Sequence, residues 1–140
     1  MNKFLWALGC CITLLSSCDC EDTKQSDRVD SSNINGKWRY QQRILNGVTT
    51  TYSEKECERE FMEFYNEKSY QVLKPENCAD KVSEVGNYSI TTDTLSFSKE
   101  SGQILKYKIV LLEPNTLVLD GNQDYDGYGQ PDRVRLNFTR

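Results

Sequence analysis

The chain has 140 residues, the length of one domain, and its 17 Lys plus Arg against 21 Asp plus Glu give a formal net charge of −4. This acidic balance argues against a nucleic-acid-binding protein, which normally carries a basic face. The sequence contains no His. That absence excludes Ser-His-Asp and Cys-His nucleophile pairs, His general bases and His metal ligands. Without a nucleophile motif or a cofactor fingerprint, we expect a protein that is not an enzyme.

Residues 1–17 have the features of a secretion signal. Lys3 is followed by an apolar run from Phe4 to Leu15, which is too short to span a bilayer. Small residues then precede Cys18, and this arrangement resembles a bacterial lipobox. The resemblance implies that Cys18 becomes the first mature residue and carries a lipid that anchors the protein to a membrane. An ordinary cleaved signal followed by a stray Cys is the alternative.

Residues 18–33 contain a single aliphatic residue, Val29, and therefore predict a flexible tether. Asp19, Glu21 and Asp22 follow the predicted lipid site. Such acidic residues resemble the surface-export signals of Bacteroidetes lipoproteins, whereas in enteric bacteria an Asp directly after the Cys indicates retention at the inner membrane. We therefore expect a lipid-anchored protein of the bacterial cell envelope, and we favour the outer membrane over the inner one.

Three cysteines remain beyond the signal and the lipid site: Cys20, Cys57 and Cys78. An exported chain meets an oxidising environment, and Cys57 and Cys78 flank a predicted hairpin, so we predict a disulfide between them. A zinc site is the weaker alternative, because two Cys without His form a poor ligand set. Cys20 is left on the tether, where it is either free or bridged to a partner.

From Asn35 onward, short alternating segments are separated by turn residues, as in antiparallel sheets. The first strand covers residues 37–45, and its predicted inward face holds Trp38, Tyr40 and Ile44. Asn46-Gly47 predicts a hairpin into residues 48–52. Further strands are predicted at residues 61–65, 69–73, 82–91, 94–98, 104–112, 116–119 and 133–140. Loops are predicted at residues 74–81 and 121–131.

Several predicted strands have a clear apolar face. The longest strand has four such residues at a period of two: Leu105, Tyr107, Ile109 and Leu111. The shorter strands direct a further set of side chains toward the core: Met62, Phe64, Tyr70, Val72, Tyr88, Ile90, Leu95, Phe97, Val134, Leu136 and Phe138. Eight or nine such strands without an amphipathic helix predict an all-β, up-and-down meander of antiparallel strands over residues 34–140. We expect this sheet to close into a small barrel, because closure removes exposed edges.

Five short motifs, taken in order, resemble the bacterial lipocalin-like lipoproteins of the Bacteroidetes type: residues 35–39, 57–65, 86–88, 93–97 and 116–119. The resemblance implies a small lipocalin-like barrel on a lipid anchor, but it does not identify a ligand. A barrel of about eight strands is either filled by side chains or able to hold one small ligand. The inward aromatic residues Trp38, Tyr40, Tyr88 and Tyr107 are the candidate ligand-binding residues. For Trp38 the alternative is that it closes the base of the barrel.

Two functions follow from this fold. The first is an envelope binding module for a small hydrophobic molecule or a protein partner. The second is a structural envelope lipoprotein whose barrel is filled and holds no ligand. Calcium could stabilise either form through the acidic segment near the end of the chain.

Residues 120–132 contain the one candidate metal site. Asn122, Asp124 and Asp126 alternate before Gly127, as oxygen ligands do in calcium loops, and Tyr128 would add a carbonyl oxygen. The pattern resembles the acidic repeats of thrombospondin type 3 and dockerin modules, which implies Asp132 as a later ligand. The segment occurs once, without flanking helices or the bidentate Glu of an EF-hand. An acidic hairpin loop that binds no metal is the alternative.

Overall fold

The computed structural model describes residues 30–66, 68–124 and 127–140. These residues form nine strands: β1 (Gly36–Leu45), β2 (Val48–Thr51), β3 (Phe61–Tyr65), β4 (Ser69–Glu76), β5 (Ala79–Thr91), β6 (Thr94–Lys99), β7 (Ile104–Glu113), β8 (Thr116–Gln123) and β9 (Asp132–Thr139). Two short 3₁₀ turns, Ser31–Ile34 and Glu56–Glu58, precede β1 and β3. The predicted signal peptide, Cys18, Cys20 and residues 19–29 of the predicted tether lie outside the described residues.

All neighbouring strands are antiparallel, and β1 also pairs with β9, so that the sheet closes on itself. One edge of β1 is divided between two partners: residues 36–39 pair with β3, and residues 42–45 pair with β2. Eight strands therefore form the closed ring, and β2 is an extra strand beside the second half of β1. The predicted all-β meander that closes into a small barrel is confirmed.

The barrel interior is packed with aromatic and aliphatic side chains from nearly every strand. Trp38, Leu95, Leu117, Leu119 and Phe138 are almost completely buried. Burying a large apolar side chain stabilises a fold by about 1.5–3 kcal/mol, so the inward face of the strands provides most of the driving force for closure.

Two β-bulges reverse the alternation and correct two of the predicted inward residues. The register shifts between Tyr40 and Gln42 in β1, and Leu45 rather than Ile44 packs against the core. It also shifts between Ile109 and Leu111 in β7. As a result, Leu112 packs against the core and Leu111 is exposed. Each bulge inserts one extra residue, which moves all later side chains to the opposite face.

The two predicted loops are shorter than expected, because the adjoining strands are longer. β4 continues through Pro75 to Glu76, where it pairs only with β5, so the missing N–H of Pro75 removes no bond of a central strand. The turn consists of Asn77 and Cys78, both at positive φ. In the second case, β8 extends to Gln123 and β9 begins at Asp132, leaving residues 124–131 as the connection.

Within the described residues, no helix has both the length and the apolar character needed to cross a bilayer.

The predicted disulfide is confirmed: Cys57 and Cys78 are bonded, with their Cα atoms 4.2 Å apart. Cys57 belongs to the second 3₁₀ turn and Cys78 to the β4–β5 turn. The bond therefore ties the segment between β2 and β3 to the tip of the β4–β5 hairpin. This segment adjoins Tyr52 and Glu60, which both line the internal cavity.

Replacing both cysteines, Cys57→Ala with Cys78→Ala, is expected to lower the free energy of unfolding by about 3 kcal/mol. The reason is that the bond closes a loop with a sequence separation of 21 residues and so restricts the unfolded chain. Urea denaturation measures the loss, and Cys20→Ala, which leaves the bond intact, is the matched control. Equal stability of the double variant and the wild type would show that the bond contributes nothing.

Candidate ligand cavity

One end of the barrel, which we call the base, is closed by Trp38 and the residues around it. The buried indole Nε1 donates a hydrogen bond of 2.6 Å to the carbonyl of Ile34. The guanidinium of Arg140 lies 4.2 Å from the Trp38 ring and donates to the carbonyls of Asn33 and Asn35. The last residue of the chain thus fixes the segment that enters β1.

A layer of aromatic rings fills the space next to Trp38. Phe64 packs edge-on against Tyr88, with 5.0 Å between ring centroids, and the Tyr88 hydroxyl donates to Asn35 Oδ1. Phe97 contacts Phe64 on one side and Tyr70 on the other. These rings pack against one another in the base of the barrel.

A cavity of about 350 Å³ lies between this aromatic layer and the opposite end of the barrel, which we call the mouth. Its apolar surface comes from Met62, Val72, Phe97, Leu105 and Leu136. Four tyrosines also line it: Tyr40, Tyr52, Tyr70 and Tyr107. The interior therefore combines an apolar wall with several hydroxyl groups.

Charged side chains line the mouth of the cavity in two ion pairs. Lys99 Nζ lies 2.9 Å from Glu84 Oε2, and the Tyr70 hydroxyl donates a 2.8 Å hydrogen bond to Glu84 Oε1. Lys74 Nζ lies 3.8 Å from Glu60 Oε2. The pairs keep the mouth polar and close to neutral in charge.

Burial changes the titration of two of the cavity tyrosines. Burial is the main reason why the pKa of Tyr70 lies far above the ordinary value of 10, and the hydrogen bond to Glu84 raises it further. Burial also raises the pKa of Tyr40 well above that value, with smaller contributions from Tyr52 and Tyr107. Both hydroxyls therefore stay protonated even in alkaline solution, where an exposed tyrosine would ionise. Tyr70 donates its proton to Glu84.

Gly86 gives the Tyr70 ring its position. The two residues are paired across β4 and β5. A Cβ atom on residue 86 would lie 2.6 Å from the Tyr70 ring and 2.5 Å from the carbonyl of Ser98. Only a glycine permits this close approach, which places the Tyr70 hydroxyl beside Glu84.

The four predicted ligand-binding residues lie at two depths. Tyr40 and Tyr107 line the cavity, whereas Trp38 and Tyr88 belong to the packed base. Sequence reasoning did not select Tyr52 or the Tyr70–Glu84–Lys99 group. Gly86 inside the predicted strand at residues 82–91 was the available signal, because a glycine within a strand often marks the close approach of another group.

Two carboxylates of the candidate calcium segment accept hydrogen bonds from other groups of the protein. Asp124 accepts hydrogen bonds from the backbone N–H groups of Gly127 and Gly129, at 2.8 and 2.9 Å. Asp132 is buried and accepts a 2.6 Å hydrogen bond from Asn46 Nδ2. Asn122 lies in β8 opposite Arg133.

Two candidate calcium ligands remain, Tyr128 and Asp126. Tyr128 is 84% exposed, and Asp126 lies outside the described residues. In the described part of the chain, no three acidic or Cys side chains are grouped to hold a metal. Calcium binding stays a prediction, because Asp126 was central to it.

Residues 34–119 match the lipocalin-like domain family. This match covers more than half of the chain and decides its classification. The chain belongs to the lipocalin-like family. Members of this family are typically binding proteins. The match agrees with the closed antiparallel barrel and with the cavity inside it.

Two solved structures resemble this lipocalin-like chain. A lipocalin-like protein from Bacteroides uniformis is 17% identical, with a TM-score of 0.56 over 77% of this chain and 98% of the other. A redesigned β-barrel is 15% identical, with a TM-score of 0.48 over 78% and 92% of the two chains. No curated protein matches the sequence. At 17% identity, the similarity to the Bacteroides uniformis protein supports the fold and nothing beyond it.

The candidate calcium segment begins at Asp120, whose carboxylate forms a bidentate ion pair across β8 and β9. Arg135 Nε and Nη2 each lie 2.6 Å from an Asp120 oxygen. Hydrogen bonding from Arg135 lowers the pKa of Asp120 below its ordinary 3.8. The ionised carboxylate is therefore stabilised in the folded state. The pair contributes its full stability above the ordinary pKa of 3.8, and this stability is lost as the pH falls through the lowered pKa of the folded state.

We expect Arg135→Gln to cost about 1 kcal/mol of unfolding free energy at neutral pH, a reduced figure because Arg135 is 39% exposed. The difference from wild type should shrink in acid as Asp120 becomes protonated. Denaturation across a pH series tests this, with Arg133→Gln as the control. Arg133 lies 4.0 Å from the same carboxylate but is 76% exposed. A loss that is the same at every pH would contradict the assignment.

Proposed function

We propose that this lipocalin-like protein is a lipid-anchored binding module of the bacterial cell envelope that holds a small hydrophobic molecule in its barrel. The cavity of about 350 Å³ carries the proposal. Small-molecule sites typically have volumes of roughly 300–1,000 Å³, with apolar walls and a few polar groups. Burial of an apolar ligand against Met62, Leu105 and Leu136 would supply most of the binding free energy.

The polar groups of the cavity favour a ligand that is not purely hydrocarbon. Tyr70, Glu84 and Lys99 form a connected group at the mouth. A molecule with an apolar body and one polar end could place its body against the aromatic layer and its polar end near this group. Such groups fix the orientation of a ligand and discriminate between similar molecules.

Leu105→Trp tests the cavity as a binding site, because an indole at this lining position would occupy the space that a ligand needs. We expect at least a tenfold loss of affinity for an apolar fluorescent probe, and loss of any small molecule that copurifies from the native host in native mass spectrometry.

The matched control is Ile104→Trp. Ile104 is the neighbouring residue and is 60% exposed, so the same substitution there adds an indole outside the cavity. Probe binding that Leu105→Trp leaves intact would place the site elsewhere. A wild-type barrel that takes up neither probe nor copurifying molecule would favour the alternative, a structural envelope lipoprotein. The cavity argues for the first function, since a filled barrel would lack this volume.

A protein partner is the second kind of ligand in this proposal. The mouth is the candidate surface, because its ion pairs and the disulfide-linked segment form one polar rim. Copurification of a protein whose binding is lost on changing the rim, but kept in Leu105→Trp, would identify this case.

The lipid anchor rests on the sequence around Cys18, and the architecture is compatible with it. Ile34 and Asn35 lie at the base, so the chain enters the barrel at the end opposite the mouth. A tether attached there would leave the mouth open to ligands. The acidic residues after Cys18 support a place at the outer membrane rather than the inner one.

Cys18→Ala is expected to move the protein from the membrane fraction to the soluble or periplasmic fraction, because no acyl chains could be attached. Cys20→Ala, two residues further on, should stay in the membrane fraction. Intact mass measurement of the wild-type protein should show the added lipid. Equal membrane partition of both variants, without an added mass, would rule out the anchor.

A further inference from the structure

A second concave surface of about 560 Å³ lies on the outside of the barrel wall formed by β9, β1 and β3. Its position follows from the register: Arg39 is paired with Phe61 on one side and with Thr139 on the other. Trp38 and Phe138 point inward, so the residues beside them face outward. We call this surface the basic groove, after its lining side chains Lys37, Arg39, Arg59 and Arg140.

The basic groove is cationic although the chain has a net charge of −4. No Asp or Glu is among its lining residues. Lys37 is paired with Asp80 at 2.9 Å, and Glu63 also raises its pKa. No ion pair of the described residues includes the three arginines.

Two of the groove arginines, Arg59 and Arg140, bond to the backbone and keep spare donors. Arg59 Nε donates to the carbonyl of Glu54, at 3.0 Å, and Arg140 donates to carbonyls near the base. A guanidinium carries five N–H donors, and its planar fork matches the oxygens of a phosphate. The groove therefore offers three guanidinium groups, and none of them forms an ion pair with a carboxylate in the part of the chain that the structure describes.

The groove also lies where the chain enters the barrel. Asn35 and Gly36 form part of its lining. Cys18, the proposed lipid site, precedes Asn35 by 17 residues. A chain of that length spans at most about 60 Å when fully extended. A lipid on Cys18 would keep the groove within that distance of the membrane and so within reach of its headgroups.

We propose that the basic groove docks on the phosphate-bearing headgroups of an anionic membrane, so that this wall of the barrel lies against the bilayer. Arg39 and Arg59 bind the phosphates, and Phe61 provides an apolar surface between them. The lipid anchor proposed above is the reason to expect the groove close to a membrane. The binding of phosphate groups by arginines depends on the groove alone. Basic residues near an anionic surface each raise membrane affinity about fivefold.

The test measures the rate at which a dicarbonyl reagent modifies each arginine of the full-length protein purified from its host, with peptide mass spectrometry as the readout. The protein is placed with vesicles of phosphatidylcholine alone, or with vesicles in which a third of the lipid is phosphatidylglycerol. We expect modification of Arg39 and Arg59 to slow about fivefold on the anionic vesicles. High salt should abolish this protection, because it screens the headgroup charge.

Arg133 is the internal control, because it is 76% exposed and lies at the far end of β9. Its modification should differ less than twofold between the two vesicles. The variants extend the comparison: Arg39→Gln should reduce the protection of Arg59, and Arg133→Gln should leave it unchanged. Equal rates for Arg39 and Arg59 on both vesicles, or equal protection of Arg133, would overturn the proposal.

Two further measurements distinguish membrane docking from binding of a soluble anion and from failure of the lipid anchor. Inorganic phosphate, at the same total phosphate concentration and without vesicles, should give no protection; protection equal to that of the vesicles would make the groove a soluble-anion site and overturn membrane docking. The intact mass tests the anchor independently. If the mass shows no lipid, anionic vesicles added to the same protein still test the groove, so the two failures are distinguishable.

Discussion

The pairing of β1 with β9 is the constraint on which the rest of this barrel depends. It joins the first and last strands, so that neither presents a free row of N–H and C=O groups. The base reinforces the same junction through side chains, since Arg140 covers Trp38 and binds the carbonyls of Asn33 and Asn35. Backbone closure and side-chain closure therefore act at one seam. The buried side chains of β9, among them Val134 and Phe138, pack into the core beside this seam.

Much of the architecture was predictable because it depends on local pattern. The alternation of apolar and polar residues located most of the strands. Asn46-Gly47, where both residues have positive φ, located the first hairpin and with it the Thr-rich β2. The bulges were not predictable in this way. An extra residue near Gln41 or Val110 allows the strand to bend as the barrel closes, and that need arises from partners distant in sequence. This is why the inward assignments of Ile44 and Leu111 were wrong.

For the candidate site, the sequence predicted which aromatic residues point inward but not their depth along the barrel axis. Sequence alone could identify inward aromatic residues, and it selected four. It could not state how far along the barrel axis each one lies, because depth follows from strand tilt and from the stagger between neighbours. Tyr40 and Tyr107 therefore reach the cavity while Trp38 and Tyr88 close the base. The same stagger brings Glu84 and Lys99 together from different strands.

The distribution of side chains explains why the barrel is filled at one end and hollow at the other. At the base, Trp38, Phe64, Tyr88 and Phe97 are large enough to pack against one another across the interior. Toward the mouth, the inward positions hold Glu60, Lys74, Glu84 and Lys99. Collapse of the wall at this level would take these charges out of water, which is costly even for paired groups. The ion pairs therefore hold the upper half open, and the space they preserve is bounded by apolar side chains below.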